Sequence, residues 1–152
     1  MESSRQTLLG AERAAAAPFI DYPRVPIWYP AFIAVIFTLI GVSAALFFEF
    51  ESWVGWLTLG IALAAVLGFA SWYRRQWGTW PRMGAAPPEI RRAYLTCLAG
   101  FAIVALLTAL AWILLGWPAG LVVVFVTIFV LITLYERVIY PRAAEKVRKR
   151  LA

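Results

Sequence analysis

Residues 31–48 read AFIAVIFTLIGVSAALFF, from Ala31 to Phe48. No side chain in this run is charged, and only Thr38 and Ser43 are polar. About 20 predominantly apolar residues are needed to cross a bilayer as a helix. Backbone N–H and C=O groups cannot be left open in lipid, so a run of this kind has to be helical. The period-two alternation of a membrane β-strand is absent. Three later stretches repeat the pattern. Together they predict spans at about 31–50, 53–73, 93–115 and 117–137, with the last extended at its start by Trp117–Ala119. The expected fold is all-α: a polytopic membrane protein whose four transmembrane helices form two antiparallel hairpins. Residues 1–30 form an N-terminal arm, 31–140 the membrane domain and 141–152 a basic tail.

Composition agrees. The chain has 152 residues, 63% hydrophobic and 14% charged, with a mean hydropathy of +0.79. Soluble domains hold about 45–50% apolar and about 25% charged residues. Residues 1–17 have no continuous apolar core behind a basic start, so no signal peptide is expected there.

Charge placement fixes an orientation. Arg5, Arg13 and Arg24 precede the first span. Arg74, Arg75, Arg82, Arg91 and Arg92 lie between the second and third, and Arg137, Arg142, Lys146, Arg148, Lys149 and Arg150 follow the fourth. These are all 14 basic residues, and the two remaining loops, 49–52 and 116–119, hold none. The positive-inside rule therefore predicts both termini and the central loop in the cytoplasm. The expected location is a bacterial cell (inner) membrane. Tryptophans mark the same boundaries: Trp53, Trp56, Trp112 and Trp117 at the outer side, Trp28, Trp72, Trp77 and Trp80 at the inner.

The stretch SWYRRQWGTWPRMGAAPPEIRRAY, Ser71 to Tyr94, then reads as a cytoplasmic loop pressed against headgroups. Arg74, Arg75, Trp77, Trp80, Arg82, Arg91 and Arg92 are its expected contacts with anionic lipid, at about 1 kcal/mol per basic residue. Lys146, Arg148, Lys149 and Arg150 of the tail are expected to do the same. A sequence pI near 10 usually suggests nucleic acid. The positive-inside bias already accounts for it here, so no nucleic acid is expected.

Chemistry-bearing groups are few. The chain has no histidine, and Cys97 is its one cysteine. No imidazole can ligate haem or zinc or serve as a general base, and no cofactor or metal is expected. No charged residue falls in the middle of a span, where charges mark ion and substrate paths. Thr38, Ser43, Thr58, Thr96, Thr108 and Thr127 are the deep polar groups, and a helix hydroxyl can return its hydrogen bond to its own backbone. Glu49 and Glu51 stand at the outer end of the first span. Two positions apart, they do not share a helix face. They read either as a solvated helix end or as an outer contact with an ion or partner.

Small residues recur at spacing four: Gly60, Ala64 and Gly68 on the second span, Gly41 and Ala45 on the first, Ala105 and Ala109 on the third. Such stripes let helices approach closely, inside one bundle or between subunits.

Ser3 or Ser4 is placed to cap a short helix running to about Ala17. The segment PFIDYPRVPIWYP, with Pro18, Pro23, Pro26 and Pro30, then predicts an extended strap along the interface or across a neighbour. Val147 and Leu151, four apart among basic residues, predict an interfacial helix in the tail.

Four features carry a family resemblance. They are the outer turn ESWVG (Glu51–Gly55), the Gly/Ala-rich second span ending in Tyr73-Arg74-Arg75, the paired Trp112 and Trp117, and the exit LYERVIYP (Leu134–Pro141). Over about residues 31–145 the layout resembles the small four-span subunit IV of actinobacterial aa3-type cytochrome c oxidases. It departs from that pattern in its longer N-terminal arm and in a basic, Trp-rich central loop where the family has an acidic, Pro-rich one. The resemblance implies a subunit without haem or copper, packed on the catalytic subunits of a respiratory chain. The expectation is thus a non-catalytic accessory subunit of a membrane complex, with other membrane subunits and anionic lipids as partners. A small oligomeric transporter or channel, with Glu49 or Glu51 at its mouth, is the alternative. A lipid-modifying enzyme using Glu89, Arg91 and Arg92 is the third.

Overall fold

The computed structural model describes residues 2–21, 25–77, 84 and 86–151, and gives the helical backbone alone for residues 2–9, 76 and 77. Six α-helices follow in order: α1 (Glu2–Ile20), α2 (Tyr29–Phe48), α3 (Val54–Trp77), α4 (Pro88–Leu115), α5 (Trp117–Leu134) and α6 (Tyr140–Leu151). A π-helical turn, Tyr135–Ile139, joins the last two. No strand occurs among the described residues. Helices α2, α3, α4 and the continuous α5–α6 stretch are each long and apolar enough to cross a membrane. The chain is an integral membrane protein by this measure.

Prolines start the helices. Pro30, Pro88 and Pro118 occupy the first two positions of α2, α4 and α5, where a missing N–H costs nothing. Between α4 and α5 stands a single residue, Gly116, whose φ of +89° suits glycine. The turn between α2 and α3 is closed by Ser52 N–H donating to the Leu46 carbonyl at 2.8 Å. Glu51 adopts a left-handed φ of 46° there.

Helices α2, α4 and α5 share one core. Ala34, Val104, Val124, Ile128 and Ile132 are buried in it, with Phe37 and Phe101 stacked at 5.5 Å alongside. Glycine lets these helices meet. A Cβ on Gly41 would lie 2.8 Å from Leu121 Cδ2, one on Gly120 2.9 Å from Trp112, and one on Gly100 would overlap Leu131. Helix α3 packs on α2 and makes no comparable contact with α4 or α5.

A second core gathers the chain's two ends. Ala16 and Phe19 of α1, Ile90 and Ala93 of α4, and Ala143, Ala144, Val147 and Leu151 of α6 are buried together. Here two expectations give way. The helix does not stop near Ala17 but runs through Pro18 to Ile20. Its last carbonyls, orphaned by the helix end, are met from α6: Tyr140 Oη donates to the Phe19 carbonyl at 2.8 Å and Arg148 Nη2 to the Ile20 carbonyl at 2.8 Å. Ser3 and Ser4 fall inside the first turn of α1, which begins at Glu2, rather than ahead of it. So Pro18 to Ile20 is not extended, and this part of the arm docks on its own chain. Tyr22, Pro23 and Arg24 of the strap lie outside the described residues. The apolar face of the tail likewise meets α1 and α4 rather than lying bare for lipid.

Candidate functional site

The α5–α6 junction builds the site. An unbroken α-helix would place residues five apart about 140° from one another on its surface. Pro141 can donate no backbone hydrogen bond, and its ring crowds the carbonyl four residues earlier. The backbone widens just before it: Tyr140 N–H reaches the Tyr135 carbonyl, five residues back. This π turn brings Tyr135 and Tyr140 together edge-to-face, with ring centroids 5.9 Å apart. Tyr94 of α4 completes a near-equilateral triangle, 6.3 Å from each. π turns recur at functional sites.

Beside this triangle lies a cavity of about 360 Å3. Tyr29, Tyr94, Tyr135, Tyr140, Cys97 and Glu136 supply its polar atoms. Ile33, Phe37, Leu98, Phe101 and Ile132 supply an apolar wall that runs along the α2–α4–α5 core. Its size falls at the lower end of the range for small-molecule sites, about 300–1,000 Å3. Glu136 is within electrostatic reach of Tyr29, Tyr73, Tyr94, Tyr135 and Tyr140, five of the chain's six tyrosines, and of Cys97. None of the ion pairs among the described residues involves it. The Tyr135 hydroxyl is buried and has no hydrogen-bond partner among the described residues. The residue as a whole is 8% exposed.

The residues picked out from the sequence are distributed differently. Trp112 Nε1 donates to Glu49 Oε1 at 3.0 Å, so Glu49 ties the α2 end to α4. Glu51 is exposed in the turn. Gly41 and Ala45 face inward, while Ala105 and Ala109 flank a groove between α2 and α4. Gly60, Ala64 and Gly68 face away from the chain, and nothing lies within 4 Å of a Cβ on either glycine. Thr38, Thr58, Thr96 and Thr127 return their hydrogen bonds to their own helices. Two hydroxyls differ. Ser43 donates across to the Gly55 carbonyl at 2.8 Å, and Thr108 Oγ1 is buried without a partner among the described residues.

Arg74, Arg75, Arg91 and Arg92 are exposed where α3 ends and α4 begins. Trp80 and Arg82 lie outside the described residues, and the side chain of Trp77 is not described. In the tail, Lys146 is exposed. Arg148 lies 3.8 Å from Asp21, Lys149 pairs with Glu145 at 2.8 Å, and Arg150 bridges Glu12 at 2.8 Å and Glu89 at 3.1 Å. The side chain of Arg13 reaches the Leu151 carbonyl, through Nε at 2.6 Å. Arg13, Arg148 and Arg150 therefore hold α1 and α6 together, whereas Lys149 pairs within α6. Glu89, the acid of the enzyme alternative, is paired with Arg150 of the tail.

Sequence reading missed Glu136. It falls at the end of the fourth span and was absorbed into the exit LYERVIYP. One signal was on view: Tyr29, Tyr73, Tyr94 and Tyr135 each fall near the same end of their spans, around that acid. No group of three or more metal-ligating side chains occurs among the described residues. No protein-family model matches the chain, and neither a curated protein nor a solved structure resembles it closely enough to count as a match.

Proposed function

We propose that the chain is a non-catalytic accessory subunit of a larger integral membrane complex, joined to its partner through the outward face of α3. One observation carries this reading. α3 buries Gly55, Ala62 and Tyr73 on its α2 side, while Gly60, Ala64 and Gly68 form a small-residue stripe on the other. Leu57, Ile61 and Leu67 flank that stripe, each more than half exposed. Small residues at this spacing suit close approach of a second helix, which gains van der Waals contact that lipid chains supply less well.

The distribution of basic residues supports an arrangement of two antiparallel hairpins with both termini in the cytoplasm, and the proposed membrane is a bacterial inner one. Arg74, Arg75, Arg91 and Arg92 then sit at the anionic headgroups. A respiratory terminal oxidase is the complex to which the resemblance over residues 31–145 points.

Purification in mild detergent, followed by mass spectrometry and a visible spectrum, tests the proposal. Stoichiometric membrane subunits that are lost in Gly60→Leu and Gly68→Leu support it, and haem absorbance in the same fraction supports the oxidase assignment. A homo-oligomer that both variants leave intact counts against it.

A second reading, a small oligomeric transporter, draws support from Glu136 rather than from Glu49 or Glu51. Flux into liposomes that stops in Glu136→Gln favours it.

A further inference from the structure

We propose that the cavity beside the π turn binds an organic ammonium ion, with its N–H donors on the Glu136 carboxylate and the Tyr135 hydroxyl and its hydrocarbon body along Phe37 and Phe101. The site is independent of whether the chain serves as a subunit or a carrier.

Three observations converge. A carboxylate faces a cavity with no basic side chain among its lining residues. The exposed arginines nearest in sequence, Arg137 and Arg142, are not among those lining residues either. A negative charge in a half-buried, aromatic setting is costly, and a proton or a paired organic cation relieves that cost. Second, the Tyr135 hydroxyl is buried and unpartnered among the described residues. Native structures leave few such groups, and an unmet one marks a place for a missing partner. Its oxygen can accept from an N–H donor, and Glu136 lines the same cavity. Third, the rest of the wall is aromatic and aliphatic. Tyrosine faces attract weakly hydrated organic cations.

The same features disfavour an inorganic ion. Calcium takes 6–8 oxygen ligands and magnesium a near-ideal octahedron, whereas this wall offers one carboxylate and phenol oxygens. They also disfavour an anion, which Glu136 would repel. The ammonium could belong to a free alkylamine or to an ethanolamine lipid headgroup. Both present N–H donors on an apolar body, and the test separates them.

The purified chain in dodecyl maltoside is titrated calorimetrically with hexylammonium and, separately, with dihexanoyl phosphatidylethanolamine. Hexylsulfonate and dihexanoyl phosphatidylcholine are the controls: the first reverses the charge, the second keeps the charge and removes the N–H donors. Saturable binding of hexylammonium alone identifies a free amine site, and binding of the ethanolamine lipid identifies a headgroup site. In either case Glu136→Gln weakens binding at least tenfold and Tyr135→Phe severalfold. Cys97, the chain's one cysteine, lines the same cavity. Its labelling by a neutral methanethiosulfonate reagent is slowed severalfold by the bound ligand, which gives a readout in the unmutated protein. The proposal is overturned if neither ammonium binds, if hexylsulfonate binds as well as hexylammonium, or if Cys97 labelling is indifferent to saturating ligand.

Discussion

Gly120→Ala puts a methyl group into a tight part of the α4–α5 contact, against the Trp112 ring. An ideal Cβ there lies 2.9 Å from Trp112 Cε3, 3.2 Å from its Cβ and 3.5 Å from its Cα. Two of those atoms belong to a rigid ring and to backbone, so no flexible chain end can swing aside. Forcing extra carbon into a packed contact typically costs about 1–3 kcal/mol. Moving the indole also strains its 3.0 Å hydrogen bond to Glu49, an exposed contact worth about 0.5–1.5 kcal/mol. Alanine's better helix propensity returns about 1 kcal/mol. The balance is a loss of between about 0 and 3.5 kcal/mol, centred on about 1.5 kcal/mol. Gly60→Ala is the internal control, because nothing lies within 4 Å of its Cβ. It should be neutral or gain up to about 1 kcal/mol. The assay is helix loss by circular dichroism in dodecyl maltoside as the mole fraction of dodecyl sulfate rises. Gly120→Ala should unfold earlier than the parent, Gly60→Ala no earlier. Equal midpoints for the two variants would refute the packing argument.

Three further outcomes follow from the same contacts. Ser43→Ala removes the donor to the Gly55 carbonyl from a site 2% exposed, and should cost about 1–2 kcal/mol in that titration. Phe19→Ala empties a position 2% exposed between α1 and α6. Core Phe→Ala losses run to about 3–5 kcal/mol, so limited proteolysis should cut α1 much faster in this variant while the membrane helices stay protected. Arg150→Gln breaks the pairs with Glu12 and Glu89, both partly exposed. It should loosen α1 by less than about 1 kcal/mol, and molar salt should erase the difference between variant and parent.

The membrane helices were legible because length and apolarity alone decide them. The first span was expected from 31 and starts at Tyr29, and the second was expected from 53 and starts at Val54. The third was expected from Ala93, yet α4 begins at Pro88. The reason is Ile90, which is fully buried against α1 and α6, a tertiary contact that no hydropathy window contains. The same contact explains why α1 passes Pro18. Local chemistry argues for a stop, yet the helix continues past Pro18 and Phe19 is buried against α6 just beyond it.

Small-residue spacing could not say which way a stripe faces. Gly41 turns toward Leu121 while Gly60 and Gly68 turn outward, although all three read alike in sequence. The site was harder still. It depends on a one-residue change of register before Pro141, which brings Tyr135 and Tyr140 onto one side. Apolar periodicity is blind to that change, and Glu136 stands at the end of the expected span 117–137, inside the exit LYERVIYP.

The proposed role rests on what meets the outer face of α3, and a photoreactive amino acid at Leu67, 70% exposed beside Gly68, reports it directly in native membranes. After irradiation, mass spectrometry should find the chain joined through this position to a different integral membrane polypeptide, and Gly68→Leu should abolish the adduct. Adducts to lipid alone, or only to a second copy of the chain, would contradict the account.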